Sequence, residues 1–396
     1  MKASERENGW SRPMSNPTEQ TPCGPTDPGR RNFLKLPLAA GAAGGLAGLA
    51  YLGRTEPEKQ PQAAPRKAVI DEYDDRNIKL AHRVTPGISD DELLFLRQIG
   101  LRWARVEFQP AEATLENMAR VQARFGKQGI KIFSAVNYVH RSLEIQLGRK
   151  GRDAEIEQYQ AFLRDLGKLG IPVADYDFHP ANTYTTATVQ RRGYRAREFN
   201  LDDFRKRVEK RRFEREYTAD EIWDAYTYFV KAVLPAAERA AVKLALHPDD
   251  PSVAKMNGVA KLFTHHDGYK KAEEIAGASR HWGLTFCVGT WAEGGDRMGQ
   301  DVFEMIRDFG KRGKIFDVHF RNVSAPLPHF VETFLDDGYL DMYRVMKALR
   351  EVGFRGAMEP DHVPELSGDR GIRPAGTAYC IASMRGLLRR ANEEVG

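Results

Sequence analysis

Four side chains with metal-binding chemistry occupy equivalent places in the second half of the sequence, each directly after a short apolar run. They are His247, Cys287, His319 and Asp361, which follow residues 242–246, 283–286, 314–318 and 356–360. Two imidazoles, a thiolate and a carboxylate form a donor set that suits a divalent transition ion and leaves positions for substrate. Structural zinc sites usually contain close cysteine pairs, whereas Cys23, Cys287 and Cys380 are far apart. The pattern therefore predicts a catalytic metal centre.

The elements around these residues alternate between strand-like and helix-like patterns in eight pairs. The predicted strands are residues 78–83, 103–108, 130–136, 172–178, 242–246, 283–286, 314–318 and 356–360. The predicted helices are residues 89–99, 111–128, 153–169, 219–240, 269–278, 298–309, 340–352 and 377–394. The strands of a closed parallel barrel share one direction, so the residues that follow them converge on one face. We therefore predict an α/β fold, a TIM (β/α)8 barrel, with the metal at its mouth.

The composition is consistent with one catalytic domain, predicted over residues 76–396. The chain has 396 residues, of which 41% are hydrophobic, and this is enough for a large core. Its net charge of +5 is a mild excess that suits a small anionic substrate and does not indicate nucleic-acid binding. Three cysteines are too few for a disulfide framework. A homo-oligomer is compatible with this composition.

The N-terminal region differs from the rest of the chain. Residues 1–55 are predicted to be a disordered leader in which Arg30 and Arg31 precede an uncharged stretch at 36–53. This arrangement resembles a twin-arginine signal, which predicts recognition by the twin-arginine translocation machinery and a periplasmic or other extracytoplasmic location. The alternative is a retained membrane anchor. Residues 56–75 are predicted to be a proline-containing linker.

Two insertions interrupt the alternation and should lie over the active-site face. The first spans residues 179–217, and its end, residues 204–217, carries interleaved acidic and basic residues that favour a solvated helix over an RNA-binding arm. The second, residues 323–337, includes Pro326, Pro328, His329 and Glu332 and is predicted to be a binding loop.

Two residues next to the metal-ligand candidates are candidates for catalysis. Arg321 follows His319 by two positions, so strand alternation places both on one face, where the guanidinium could bind a substrate carboxylate. The alternative is that Arg321 pairs with an acid of a neighbouring strand. His362 directly follows Asp361 and could donate or accept a proton, or merely orient a neighbour.

Further polar residues occupy strand ends or the loops just after them. Asp250 is a further catalytic candidate, and the predicted substrate-binding residues besides Arg321 are Asn137, His179 and Asn322. Glu107, His140 and Asn182 are weaker candidates. Taken singly, His247 would be a loop residue and Cys287 a small buried hydrophobic residue; the metal interpretation depends on the whole set.

Several motifs in order resemble the mannonate dehydratase family, from about Asp74 to near the C-terminus. They are HPDDP at 247–251, GLTFCVG at 283–289, HFRNV at 319–323, DM at 341–342 and PDH at 360–362. The resemblance implies a metal-dependent β/α-barrel lyase that removes water from D-mannonate to give 2-keto-3-deoxy-D-gluconate, usually with manganese. Zinc, iron or magnesium are chemically compatible alternatives.

The chain also departs from the better-known members of that family. After the fourth strand those members carry a tryptophan with an arginine close behind, whereas this chain has YTTA at 184–187. A family tyrosine that follows the Asp-His pair has no clear counterpart, although Tyr379 lies in the same region. These departures leave open a related aldonic or uronic acid as the substrate.

Two other functions are compatible with a barrel of this kind. A sugar isomerase or epimerase on a xylose-isomerase-like barrel would move a proton without releasing water. Such enzymes use carboxylate-rich metal sites, for which only Glu107 and Glu359 are candidates here. A non-catalytic, exported carbohydrate-binding protein is the third possibility, and the altered segment around Tyr184 is the feature that favours it.

Overall fold

The computed structural model of the protein describes residues 70–180, 184–208, 212–277 and 279–396. The predicted leader at 1–55, its twin-arginine pair and apolar stretch, most of the linker at 56–75 and the candidate Asn182 lie outside these residues. The predictions made for them are therefore not examined by the structure.

Eight parallel strands close into a barrel, as the sequence predicts. They are Lys79–Val84, Trp103–Phe108, Lys131–Asn137, Val173–Tyr176, Lys243–Leu246, Trp282–Cys287, Ile315–Phe320 and Ala357–Pro360. The last strand pairs with both the first and the seventh, which closes the barrel. The fold class is therefore confirmed as a TIM barrel.

Helices connect the strands and pack around the barrel. The α-helices of the described residues are Asp90–Gln98, Leu115–Lys127, Leu143–Gln146, Arg152–Leu169, Leu201–Val208, Ala219–Arg239, His266–Ile275, Val288–Gly294, Val302–Lys311, Met342–Glu351 and Pro374–Val395. Short 3-10 turns occupy Pro110–Glu112, Tyr138–Arg141 and Gly295–Met298. Each of the eight predicted helices has a counterpart among these.

Local capping chemistry explains where several helices begin. Ser89 and Glu92 form a reciprocal capping box at the first helix, as the sequence predicts. The helix predicted to start at residue 298 instead starts at Val302, because Asp301 caps the backbone N–H of Glu304. Gly170 ends the long helix Arg152–Leu169 at φ +67°, a left-handed conformation that glycine adopts without strain.

A layer of polar side chains crosses the barrel interior below its mouth. The Arg105 guanidinium donates to Asp175 at 2.9 Å and to Glu359 at 3.0 Å. The hydroxyl of Thr285 donates to the same Asp175 at 2.7 Å, and that of Ser134 donates to Asp317 at 2.7 Å. These pairs satisfy charged groups that would otherwise be costly to bury, and they support the residues of the layer above.

The two insertions build one antiparallel sheet, which we call the cap sheet. Its strands, in spatial order, are Asn322–Val323, His329–Thr333, Tyr194–Asn200 and Ala187–Arg191. Arg192 and Gly193, both at positive φ, make the tight turn between the strands Ala187–Arg191 and Tyr194–Asn200.

The cap sheet corrects both predictions made for the insertions. The second insertion is not a loop, because residues 329–333 pair with the first insertion. In the first, the helix covers only Leu201–Val208, and the described residues from Arg212 to Tyr217 are not helical. The ring of Phe204 is buried against Phe199 rather than solvated. Alternation of polar and apolar residues in each insertion is compatible with strands, but their pairing joins segments more than a hundred residues apart.

None of the helices in the described part of the chain is long and apolar enough to span a bilayer.

Candidate active site

Strand register brings three of the predicted metal ligands together. Parallel pairing places Cys287 beside His319 and His319 beside Glu359. His247 follows the fifth strand, and its backbone N–H continues the sheet pairing to Tyr176. One donor atom from each of His247, Cys287 and His319 lies within 4.8 Å of the others. Ligands separated by up to seventy-two positions thus meet at the barrel mouth.

The hydrogen bonds of these side chains leave metal-binding atoms facing the centre. His247 Nδ1 is 2.7 Å from the Pro248 carbonyl, to which it can only donate, so Nε2 of the neutral ring is unprotonated. Burial and the neighbouring His319 lower the pKa of His247 to about 3, which keeps the ring neutral. Its Nε2 lies 3.2 Å from His319 Nδ1.

His319 is oriented from its other nitrogen, because Nε2 lies 3.2 Å from Glu359 Oε1. Histidine ligands of metals commonly have such a carboxylate partner, which sets the orientation of the ring. Glu359 is itself paired with Arg105, which outweighs burial and lowers the pKa of Glu359 to about 2. The carboxylate therefore stays ionised beneath the metal-ligand candidates.

The environment of Cys287 favours the thiolate. Burial opposes ionisation, but the Arg321 guanidinium and His319 outweigh it and lower the pKa of the thiol. Thr290 Oγ1 donates to the sulfur at 3.1 Å, and Arg321 Nη2 lies 3.6 Å from it. A thiolate beside imidazole lone pairs is a donor set that a transition ion can accept.

Asp361, the fourth predicted ligand, lies next to the group but is not part of the set that meets within 4.8 Å. Its Oδ2 is 3.9 Å from Cys287 Sγ and 3.8 Å from His319 Nδ1. The same oxygen accepts a hydrogen bond from Arg321 Nε at 3.1 Å. The structure thus brings all four residues together, with Asp361 shared between the group and an arginine.

Arg321 is surrounded by carboxylates and is 1% exposed. It pairs with Asp250 at 3.0 Å, with Asp361 at 3.1 Å, with Glu332 at 3.5 Å and with Glu293. The guanidinium does not line the cavity described below. This geometry matches the alternative, in which Arg321 pairs with acids of neighbouring elements; a contact between Arg321 and the substrate carboxylate stays a prediction.

Two predicted substrate-binding residues use their side chains within the fold instead. The Asn322 amide donates to the carbonyls of Leu335 and Leu340, both at 3.0 Å, and its oxygen accepts the backbone N–H of Val323. Asn137 accepts the backbone N–H of Val139 at 3.0 Å and so caps a 3-10 turn. Neither side chain lines the cavity. Residue type and strand-end position could not distinguish these capping roles from substrate binding.

His362, the predicted proton-transfer residue, lines the cavity, and a contact with Glu332 orients its ring. Its Nδ1 lies 2.9 Å from Glu332 Oε1 on the cap sheet, and its Nε2 lies 3.7 Å from Asp361 Oδ1. The residue adopts φ +46°, which turns it from the eighth strand toward the site. Asp250 also lines the cavity, and although burial opposes it, Arg321 lowers the pKa of this carboxyl to about 2.

His179 lines the same cavity and belongs to a buried network of polar side chains. Its Nδ1 lies 3.5 Å from Asp177, and its Nε2 lies 2.5 Å from the Pro248 carbonyl. Asp177 also contacts His140 at 3.3 Å and accepts from Arg141 Nε at 2.7 Å. His179 is therefore the predicted substrate-binding residue whose position agrees best with that role.

The cavity at the metal-ligand candidates has a volume of about 180 Å³; we call it the inner cavity. Sequence reasoning missed several charged or polar residues that line it, namely Arg83, Arg105, Tyr138, Arg141, Asp177 and Arg197. Arg105 stands between the buried apolar residues Ala104 and Val106 on the second strand, and this signal could have identified it. Arg197 comes from the cap sheet, whose placement depends on tertiary structure.

Comparison with known proteins identifies relatives of this chain. A family model described as D-mannonate dehydratase (UxuA) matches residues 193–394. A mannonate dehydratase of Thermotoga petrophila is 30% identical over 300 residues, which cover 67% of this chain and 81% of that protein. The crystal structure of mannonate dehydratase from Streptococcus suis serotype 2 is 26% identical with a TM-score of 0.70, covering 80% of this chain and 95% of that one.

More distant structures share only the fold. A xylose isomerase domain protein from Planctomyces limnophilus has a TM-score of 0.53 at 12% identity, over 79% of this chain and 98% of that one. Such identity carries no information about the reaction, so the isomerase alternative gains no support from it.

Proposed function

The chain belongs to the D-mannonate dehydratase (UxuA) family of hydro-lyases, and from this membership we propose that it removes water from D-mannonate or a related aldonic acid to give the 2-keto-3-deoxy acid. The observation that carries the proposal is the buried imidazole and thiolate group beside His362, whose ring is held by Glu332. In this elimination the C2 proton is removed, the C3–O bond breaks as its hydroxyl is protonated, and the resulting enol tautomerises to the ketone.

We propose His247, Cys287, His319 and Asp361 as the residues that hold the metal. The fit rests on the unprotonated Nε2 of His247, the lowered pKa of Cys287 and the carboxylate that orients His319. A bound divalent ion would act as a Lewis acid toward the substrate carboxylate and C2 hydroxyl. We propose Mn²⁺ as the ion, with Zn²⁺, Fe²⁺ and Mg²⁺ as the alternatives that metal analysis would distinguish.

The proton transfers are assigned to residues that line the inner cavity. His362 can donate a hydrogen bond from its Nδ1–H group to Glu332. Its Nε2 is then available to accept a proton from the substrate or to donate one to it. Asp250 is ionised beside it and is the second candidate for a base. His179 also lines this cavity and can hydrogen-bond a substrate hydroxyl.

A direct assay tests the dehydratase. The full chain is loaded with Mn²⁺ and incubated with a panel of aldonic acids, with and without chelator, and the 2-keto-3-deoxy product is measured. We expect product that chelator abolishes, and at least a hundredfold lower kcat for His362→Asn. Isomerised sugar without loss of water would favour an isomerase, and binding without turnover would favour a carbohydrate-binding protein.

Export is a separate part of the proposal. It is supported by Arg30 and Arg31 ahead of the uncharged stretch at 36–53. Residues 1–75 fused to a folded reporter should direct it across the membrane, and replacing both arginines by lysine should stop this. A reporter that stays attached to the membrane would indicate a retained anchor. A homo-oligomer stays a prediction that sedimentation can examine.

A further inference from the structure

A second, larger cavity adjoins the inner cavity. It has a volume of about 470 Å³, and we call it the outer chamber. The two cavities share four lining residues, namely Arg83, Glu107, Arg197 and His362. Binding sites for small molecules usually occupy about 300–1,000 Å³. The inner cavity, at about 180 Å³, is small by that measure, and the outer chamber gives a bound molecule room to extend.

The outer chamber carries an excess of available positive charge. Its lining contains three arginines, Arg83, Arg197 and Arg373, and two acids, Glu92 and Glu107. Both acids are already engaged. Glu92 accepts hydrogen bonds from Ser89 and from the backbone of Ile372, and Glu107 lies 3.0 Å from Arg105.

Arg197 is the most available of these cations. Its side chain is 43% exposed, and among the described residues its ion pair is a distant one, 4.0 Å to Glu332. By contrast, Arg83 pairs with Asp361 at 3.5 Å, and Arg373 donates to the Val363 carbonyl. Arg197 stands on the cap-sheet strand Tyr194–Asn200, at the boundary between the two cavities.

We propose that the outer chamber binds a second anionic group of the substrate, beyond the aldonate portion that reacts, and that Arg197 is its main contact. This inference rests on the proposed dehydratase function and extends its substrate class to acids with two negative charges. Guanidinium groups bind carboxylates in a bidentate manner, so a carboxylate is the group that best fits this chemistry. Two kinds of molecule present one there: a hexaric diacid, and a hexonate that carries a glycosidically linked uronic acid.

The test compares substrates and variants of the full, Mn²⁺-loaded chain. The kcat/KM values for D-mannonate, the corresponding hexaric acid and a uronic acid-linked mannonate are measured for wild type and Arg197→Gln. We expect at least one diacid to exceed mannonate, and Arg197→Gln to lower the ratio of diacid to mannonate roughly tenfold to a hundredfold. If the uronic acid-linked mannonate is the preferred substrate, the bound molecule extends through the whole outer chamber. If the hexaric acid is preferred, its second carboxylate binds where the outer chamber meets the inner cavity.

Arg195→Gln is the matched control. Arg195 is two positions earlier on the same strand, pairs with Glu365 at 2.9 Å, and lies outside both cavities. Its substitution should leave the substrate ratio unchanged. If Arg197→Gln lowers kcat/KM for mannonate and diacids by the same factor, or if wild type does not prefer either diacid, the proposal is wrong.

A binding measurement separates this inference from the proposed function. If the loaded protein dehydrates none of these acids, the dehydratase proposal fails, and the chamber is then tested by calorimetric titration with the same diacids. Binding that Arg197→Gln weakens at least tenfold, relative to Arg195→Gln, would support the chamber. Absence of diacid binding by the wild-type protein would overturn it.

Discussion

Replacing Arg321 by methionine should destabilise the protein strongly, because the guanidinium is the shared partner of four buried carboxylates. Methionine keeps much of the apolar stem but removes the positive charge that these four acids share. Removing one partner of a buried ion pair costs about 3–5 kcal/mol, because the remaining charge is uncompensated. We therefore expect Arg321→Met to lower the free energy of unfolding by about that amount at pH 7.5.

The loss should depend on pH in a defined direction. Burial opposes ionisation of Asp250, but Arg321 lowers its pKa to about 2, below the ordinary value of 3.8. In the wild type this stabilisation is present above about pH 4 and decreases only as the pH falls toward 2. Without Arg321, burial raises the pKa, so protonation of Asp250 relieves part of the penalty. The difference between variant and wild type should therefore shrink between pH 7.5 and pH 5.

Urea unfolding in the presence of chelator measures this difference without a contribution from metal binding. Arg192→Met is the matched control, because Arg192 also pairs with a carboxylate, Asp336, but both side chains are largely exposed. Exposed pairs typically contribute about 0–1 kcal/mol. The reasoning would be refuted if Arg321→Met cost no more than Arg192→Met. It would equally be refuted if the penalty stayed constant between the two pH values.

Three further predictions follow from single positions. Cys287→Ala should remove most of the bound metal, measured by elemental analysis, while the far-UV circular dichroism stays unchanged, because we propose Cys287 as one of the four metal ligands. Gly289→Ala should lower the free energy of unfolding by about 1–3 kcal/mol in urea titrations, because a Cβ there would meet Arg321 Cζ and Nε at 2.6 Å. Burial lowers the pKa of His82 from 6.5 to about 4, so its neutral form stabilises the fold at pH 7, and up to about 3 kcal/mol is lost as the pH falls from 6.5 toward 4. His82→Gln should therefore flatten the pH dependence of unfolding in that range.

Two of these predictions have a control variant in the same chain. Cys380→Ala removes the other buried cysteine of the described residues and should leave the metal content unchanged. Gly126→Ala adds a Cβ that meets nothing within 4 Å and should not destabilise the protein. Unchanged metal content in Cys287→Ala would contradict the proposed ligand set. An unfolding profile of His82→Gln that parallels the wild type would contradict the buried, neutral state of His82.

The sequence was sufficient to predict the barrel and the meeting of its metal-ligand candidates. Strand-like runs that end in potential donors carry that information, because parallel closure brings equivalent strand ends to one face. Arg321 shows the limit of this reasoning. Alternation correctly placed it on the same face as His319, but it could not reveal how many acids would surround it. The charged neighbours come from four separate segments of the chain.

The sequence by itself determined the fold class, the family and the group of imidazoles, thiol and carboxyl at the barrel mouth. These features depend on local periodicity and on positions relative to strand ends. Only the tertiary structure decided that the two insertions pair into one cap sheet, which brings Glu332 to His362 and Arg197 to the edge of the inner cavity. Pairing of two distant segments depends on their registry across the barrel mouth, and no short-range pattern in either segment encodes that registry.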